Sequence, residues 1–206
     1  MLLKEKSKVL EPFTRMPWKG LTFGEVKEIS GKSSDNYVHS TLKEAVSEGI
    51  LVEEKAGNVI LYSPARNSWS NTVLGFVAEY RTHNMEHIPH QELKRVMDEI
   101  DTPFYSLVVT GSYARGEQSA DSDLDIVVLC GEDRSPESIM AEIRFESEMS
   151  VPEIHPYVFT RSQMVEMLIN DEENYGKETV RNFLVVTGGK QFYKVVLEAV
   201  DNGFQG

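Results

Sequence analysis

Apolar residues fall at helical spacing in some stretches and in short continuous runs in others, and the alternation outlines the elements. Residues 21–29, LTFGEVKEI, form a short amphipathic segment carrying a Thr22–Glu25 capping-box pattern, with Gly31 as its stop. From Ser34 a longer helical pattern spaces Tyr37, Val38, Leu42, Ala45 and Val46 three or four apart, and Gly49 ends it. Residues 50–55 and 58–61 read as two strands around a Lys55-Ala56-Gly57-Asn58 turn. After a polar connector at 64–70, helical spacing returns over 71–83 and 91–100. The string HNMEHIPH between them contains Pro89 and no regular His pair, so Met85, His87 and His90 read as loop residues rather than metal ligands.

Residues 106–129, SLVVTGSYARGEQSADSDLDIVVL, read as an apolar strand, a Gly-Ser turn, a polar segment and a second apolar strand. Ser135-Pro136-Glu137 then opens a helix running to about 149. Residues 153–159 form a strand, in which Pro156 marks an edge or a bulge. A second capping box, Thr160 with Gln163, opens a helix to about 170. A helix at 177–182, a short strand at 183–186 and a helix at 191–200 follow. Trp18 and Trp69 read as packing anchors, and no internal repeat is found.

The composition is that of an ordinary globular chain: of 206 residues, 40% are hydrophobic and 26% charged. No apolar run reaches bilayer-spanning length, so no membrane association is expected. The start, MLLKEKSKVLEPF, lacks the apolar core of a signal peptide, and a lone cysteine, Cys130, permits no internal disulfide; a cytoplasmic setting is the expectation. Cys130 closes the run IVVL and reads as a small core residue. The net charge of −12 is uneven: residues 1–66 balance at +1, residues 67–206 at −13. An acidic surface of that kind favours cations or a basic partner over nucleic acid.

The chemistry concentrates in 106–129. Gly111 and Ser112 precede the Asp123-Leu124-Asp125 triplet by ten residues. Alternation along a strand points Asp123 and Asp125 the same way and Leu124 into the core. Paired carboxylates repel unless a cation lies between them, and hard oxygen donors suit Mg²⁺. Gly111 lets backbone come close to a ligand, and Ser112 offers a hydroxyl and an amide to phosphate oxygens.

Gly-Ser, ten residues and Asp-x-Asp, each on the end of an apolar run, resemble the nucleotidyltransferase superfamily that includes DNA polymerase β, and GSYARGE resembles its minimal nucleotidyltransferases. The resemblance is dense over 107–129 and diffuse beyond. It implies an α/β (α+β) nucleotidyltransferase fold with a mixed sheet, a Mg²⁺ cofactor held by Asp123 and Asp125, and a nucleoside triphosphate, ATP first among them. Gly111 and Ser112 would hold its phosphates, and Arg115 would pair with the triphosphate or with an acceptor, or stand as a solvated helix residue. The family carries a third carboxylate on the next core strand. Counting back from Thr160 puts that position near Tyr157, which is not acidic. Glu153 and His155 share its face, so three readings stand: Glu153 as third catalytic carboxylate, His155 as base, or neither. The acceptors implied are a protein hydroxyl, as in antitoxins that modify a HEPN-type toxin, or a small molecule of the aminoglycoside type.

The N-terminal order of helix, helix and two-stranded hairpin, with the string SSDNYVHSTLKEAVSEGILVEEKAGNVILYSP, resembles winged helix-turn-helix domains. That implies DNA binding through the second helix, or docking and dimerisation. Only Lys27, Lys32, Lys43 and Lys55 stand where phosphates would be met, a sparse footprint. The expected domains are 1–66, winged helix, and 67–206, nucleotidyltransferase, with linking helices at 71–101. A regulator that binds DNA and senses nucleotide is the alternative of another class.

Overall fold

A helix that the sequence pattern did not single out opens the fold. The computed structural model describes residues 4–206, so Met1 to Leu3 of the first expected domain lie outside it. In α1 (Lys4–Arg15), Pro12 lies inside the helix and lacks an amide donor, but Val9, Leu10 and Phe13 are buried at helical spacing and hold the segment. β1 (Leu21–Thr22) leads into α2 (Phe23–Ser30), whose capping box forms in full: the Thr22 hydroxyl accepts from the Glu25 amide, and the Glu25 carboxylate accepts from the Thr22 amide at 2.8 Å. α3 (Asp35–Ser47) follows, capped by Ser34. β2 (Leu51–Ala56) and β3 (Val59–Pro64) pair antiparallel with Ala56 opposite Val59, and β1 adds to the far side of β3, giving the order β1-β3-β2.

β3 runs three residues past its expected end. α4 (Ser68–His83) starts a turn early because the Asn67 side chain caps it, accepting from the Ser70 amide at 2.8 Å. The polar connector thus shrinks to residues 65–67. α5 (His90–Glu99) starts one residue earlier than expected and takes in His90, while Met85 and His87 stay in the loop; His87 and His90 each bond a main-chain carbonyl, of Tyr113 and Met85.

A second sheet follows: β4 (Tyr105–Val109), β5 (Leu124–Cys130), β6 (Ile154–Thr160) and β7 (Leu184–Thr187), in the order β6-β5-β4-β7. β5 and β6 run parallel, joined by α7 (Pro136–Met149), and the other pairs are antiparallel, so the sheet is mixed. β6 is an edge strand, which is where Pro156 can sit without costing a ladder bond. The short α6 (Gly111–Arg115) links β4 towards β5; α8 (Arg161–Ile169), α9 (Tyr175–Arg181) and α10 (Gly189–Asp201) complete the chain. No helix of the described residues is long and apolar enough to cross a membrane.

Both faces of this sheet are covered. Leu107, Val109, Ile126 and Val128 pack with Leu93, Val96, Ile139 and Ile143 of α5 and α7. Val108, Val127, Leu129 and Val185 face the other way, into a cluster with Phe192, Val196, Leu74, Phe13, Leu42 and Val38. That second cluster runs unbroken across residue 66, from α3 to the sheet. At its centre α4 and α10 cross with their backbones almost touching: a Cβ on Gly75 would lie 2.4 Å from the Lys190 nitrogen. Glu79 of α4 also accepts from the Gly189 amide at 2.6 Å, capping α10 from another helix. Trp18 anchors as expected, edge-on to Phe204 at 5.5 Å. Trp69 does not: it is 53% exposed, because α4 turns that side of its first turn to solvent.

Candidate active site

The site is built where β4 gives way to α6, next to the start of β5. The Thr110 amide donates to the Asp125 carbonyl at 2.9 Å, tying the end of one strand to the start of the next. Gly111 then takes φ +66°, in the left-handed region where a side chain is strained. A Cβ there would lie 2.3 Å from Asp125 Oδ2. The space that the sequence reading left for a ligand is therefore filled by the Asp125 carboxylate, and Gly111 is the residue that admits it. The expected Gly-Ser turn is one short helix, closed at Gly116 and by a bond from the Glu117 amide to the Ser112 carbonyl at 2.9 Å. Arg115 is exposed and donates from Nε to the Glu117 carboxylate at 2.7 Å.

Register supplies the rest. In the parallel pair, Leu124 stands opposite Ile154 and Asp125 opposite His155. The Leu124 amide donates to the Glu153 carbonyl at 2.8 Å, so Glu153 and Asp123 meet just before the strands begin. His155 Nε2 lies 3.8 Å from Asp123 Oδ2 and 3.7 Å from Glu153 Oε1, between the two acids. One ligand atom from each of Asp123, Glu153 and His155 falls within 4.8 Å of the others. Both readings of β6 left open by the sequence, Glu153 and His155, therefore converge on Asp123. Asp125 stands outside that trio, turned towards Gly111.

Burial is the main force that pushes the Asp125 carboxyl above the ordinary carboxylate range. The charge of His155 opposes that rise, Asp123 and Glu178 add to it, and Arg115 opposes it. An acid held up by burial and by like charges favours a cation that would relieve both. Asp123 and Glu153 remain open to solvent, with side chains 51% and 58% exposed. Carboxylate oxygens dominate the donor set, which fits a hard divalent ion.

Two neighbours on α9 carried no signal in the sequence. Tyr175 packs its ring against Tyr157 at 4.3 Å between centroids, so the position expected for a third carboxylate is half of an aromatic pair. Burial above all, then Tyr157 and the charges of Asp125 and Glu178, push the Tyr175 hydroxyl well up. The charge of Glu178, on the same helix, is felt at Asp125. Both residues lie some fifty positions from the Asp pair, and only the packing of α9 beside β6 brings them in.

No curated protein and no solved structure matches the chain. Residues 90–178 match the family model described as Nucleotidyltransferase domain, a span from the first residue of α5 to Glu178 that contains the whole site. The mixed sheet with its flanking helices fits that fold. The protein is therefore a nucleotidyltransferase enzyme, and the matched span supports general transfer of a nucleoside monophosphate from a nucleoside triphosphate.

Proposed function

We propose that the protein transfers a nucleoside monophosphate from ATP to an acceptor hydroxyl in a Mg²⁺-dependent reaction, with Asp123 and Asp125 as the metal-holding pair and Glu153 as the third carboxylate. The observation that supports this most directly is the β5–β6 register, which gathers Asp123, Glu153 and His155 around one point beside Asp125. A bound Mg²⁺ would neutralise the phosphate oxygens and polarise the α-phosphorus. Gly111, through its backbone amide, and Ser112 orient the β and γ oxygens. Glu153 accepts the hydroxyl proton of the acceptor, and His155, set between Glu153 and Asp123, orients that carboxylate. The bond from the α-phosphorus to the bridging oxygen breaks, that oxygen leaving with pyrophosphate, as the bond from the α-phosphorus to the acceptor oxygen forms. Catalysis is then mostly positioning and charge neutralisation.

Acceptors of the two kinds implied by the resemblance, a protein hydroxyl on a HEPN-type toxin and an aminoglycoside-type molecule, remain compatible with the open side of Asp123. The DNA-binding regulator draws less support. Of the four lysines placed to meet phosphates, Lys27 is paired with Asp35 at 2.5 Å and Lys32 with Glu5. Incubation with α-labelled ATP, Mg²⁺ and candidate acceptors tests the proposal. Label transfer by the native enzyme and none by Asp123→Asn/Asp125→Asn is the expected result; equal transfer by both would overturn the site. Glu153→Gln should slow transfer while leaving MgATP binding in place. If His155 were the base instead, His155→Ala would be the slower variant and its rate would lose dependence on pH near neutrality.

A further inference from the structure

Four arginines from four distant elements line one cleft: Arg15 of α1, Arg81 of α4, Arg115 of α6 and Arg181 of α9. The cleft has a volume of about 390 Å³. It opens in a chain of net charge −12, and its lining carries four arginines against one carboxylate, Glu117. Glu117 pairs with Arg115 at 2.7 Å, and Arg181 pairs with Glu173 at 2.6 Å, so Arg15 and Arg81 are the two that no close carboxylate engages among the described residues. Arg15 has only a loose contact with Glu11, at 3.9 Å. Arg81 is half-buried, and no ion pair or hydrogen bond of its guanidinium is found among the described residues. Burial first, and the charge of Arg15 second, push its guanidinium down from the ordinary arginine range, with Glu11 pulling the other way. Half-buried like charges cost free energy that no carboxylate at hydrogen-bonding distance from Arg81 offsets. An anion would offset it, and a guanidinium fork matches the oxygens of a phosphate.

The position of the cleft narrows the ligand. Of α6 only Ala114 and Arg115, its last two residues, line it, whereas Gly111 and Ser112, the proposed nucleotide contacts, do not. Asn182 and Phe183, directly after α9, also line it, and the charge of Glu178 on α9 is felt at Asp125. Arg115 is felt electrostatically at Asp125, so the cleft adjoins the carboxylate site without being part of it.

We propose that the cleft of Arg15, Arg81, Arg115 and Arg181 binds a phosphate group carried by the acceptor, so that the second substrate is a phosphate-bearing hydroxyl compound. This rests on the nucleotidyl-transfer reading and narrows it, since a polycationic acceptor is repelled here and a bare protein hydroxyl leaves the arginines unused.

Inorganic pyrophosphate is the probe. In EDTA the carboxylate site has no means of holding an anion, so calorimetric binding of pyrophosphate there reads the cleft alone. The native enzyme is expected to bind; Arg81→Gln should weaken binding at least tenfold, and Arg15→Gln, on an exposed side chain that leaves the fold intact, three- to tenfold. Asp123→Asn/Asp125→Asn should bind as the native enzyme does. No binding in EDTA, or binding unchanged in both arginine variants, overturns the cleft. Repeating the titration on enzyme saturated with Mg²⁺ and a non-hydrolysable ATP analogue tests the acceptor assignment. Undiminished pyrophosphate binding supports it, and displacement would give the cleft to the nucleotide's own phosphates and overturn it. Failure of the Mg²⁺–analogue complex to bind at all would instead remove the nucleotidyltransferase reading and leave the cleft standing.

Discussion

In the three-stranded sheet, every residue of β2 after Leu51 is exposed, and Val52, Val59 and Ile60 stand about half in solvent. In the four-stranded sheet, every residue of β5 except Asp125 is buried. A strand covered on both faces tolerates a carboxylate only where something compensates it, so the one polar position in β5 is informative. In β2 and β3 charged, polar and apolar residues alternate at little cost, and their identity says less. The difference locates chemistry by the expense of placing it: the face of the buried sheet that carries Asp125 also carries His155 and Tyr157, and leads to Glu153 and Asp123 at its rim.

The largest expected break falls on β5. Asp123→Asn and Asp125→Asn each remove a charge with little change in volume, and transfer should fall about 10²–10³-fold in a single-turnover assay. Stability should move the other way at Asp125. Its folded pKa is raised, so its contribution is favourable below the unfolded value and is lost as pH rises through the folded value. At neutral pH in EDTA the ionised Asp125 therefore works against the fold. Asp125→Asn should melt a few degrees higher, by roughly 2–4 °C for each kcal/mol relieved. Native enzyme should gain that difference back on lowering the pH, and the variant should not. A variant that melts lower than the native enzyme in EDTA would show that the carboxylate is already compensated.

Next in size is the helix crossing behind the buried sheet. Gly75→Ala places a methyl 2.4 Å from the backbone of α10, so the two helices must separate. A loss of about 1–3 kcal/mol is expected by chemical denaturation, the range of overpacked cores, although alanine is the better helix former. An unchanged midpoint would mean that the crossing is loose. Gly75 also shows why part of the fold was not legible in the sequence. A glycine within a helical pattern reads as a minor defect, and its partner Gly189 lies more than a hundred residues away. The crossing is a tertiary fact, as are the Glu79 cap on α10 and the approach of Tyr175 and Glu178 to Asp125. Features set by local chemistry were legible: both capping boxes, the strand after Asp123, the edge position of Pro156 and the buried Cys130. α1 was missed because Pro12 disguised a stretch whose apolar residues face the core. The Gly-Ser and Asp-x-Asp spacing was legible; that Gly111 makes room for Asp125 itself required coordinates.

A smaller effect belongs to the entry of α2, next to the exposed sheet. A bond from Lys19, and behind it bonds from the Thr22 amide and hydroxyl, lower the Glu25 carboxyl from about 4.5 to about 2. Its stabilising contribution is present above the unfolded value and is lost as pH falls from about 4.5 towards 2. Thr22→Ala should cost about 1 kcal/mol at neutral pH. Glu25→Gln should flatten part of the acid limb of the stability curve while leaving transfer at neutral pH unchanged. A Glu25→Gln curve parallel to the native one down to pH 2 would remove the cap's pH role.

The smallest effect is expected on the hairpin of β2 and β3, and it tests the comparison from its cheap side. Ile60 pairs with Lys55 and Val52 with Ser63, and each is nearly half exposed. Threonine keeps the branched Cβ that suits a strand and adds a hydroxyl that water can satisfy. Val52→Thr and Ile60→Thr should therefore change the unfolding free energy by no more than about 0.5 kcal/mol, with transfer unaltered. The same exchange at Val127, buried in β5 opposite Tyr157, strands a hydroxyl in the core and should cost about 1–3 kcal/mol. The contrast between equal substitutions carries the test. If the hairpin variants lose as much as Val127→Thr, those apolar residues are covered in solution, and the hairpin must then be an interface rather than a free edge.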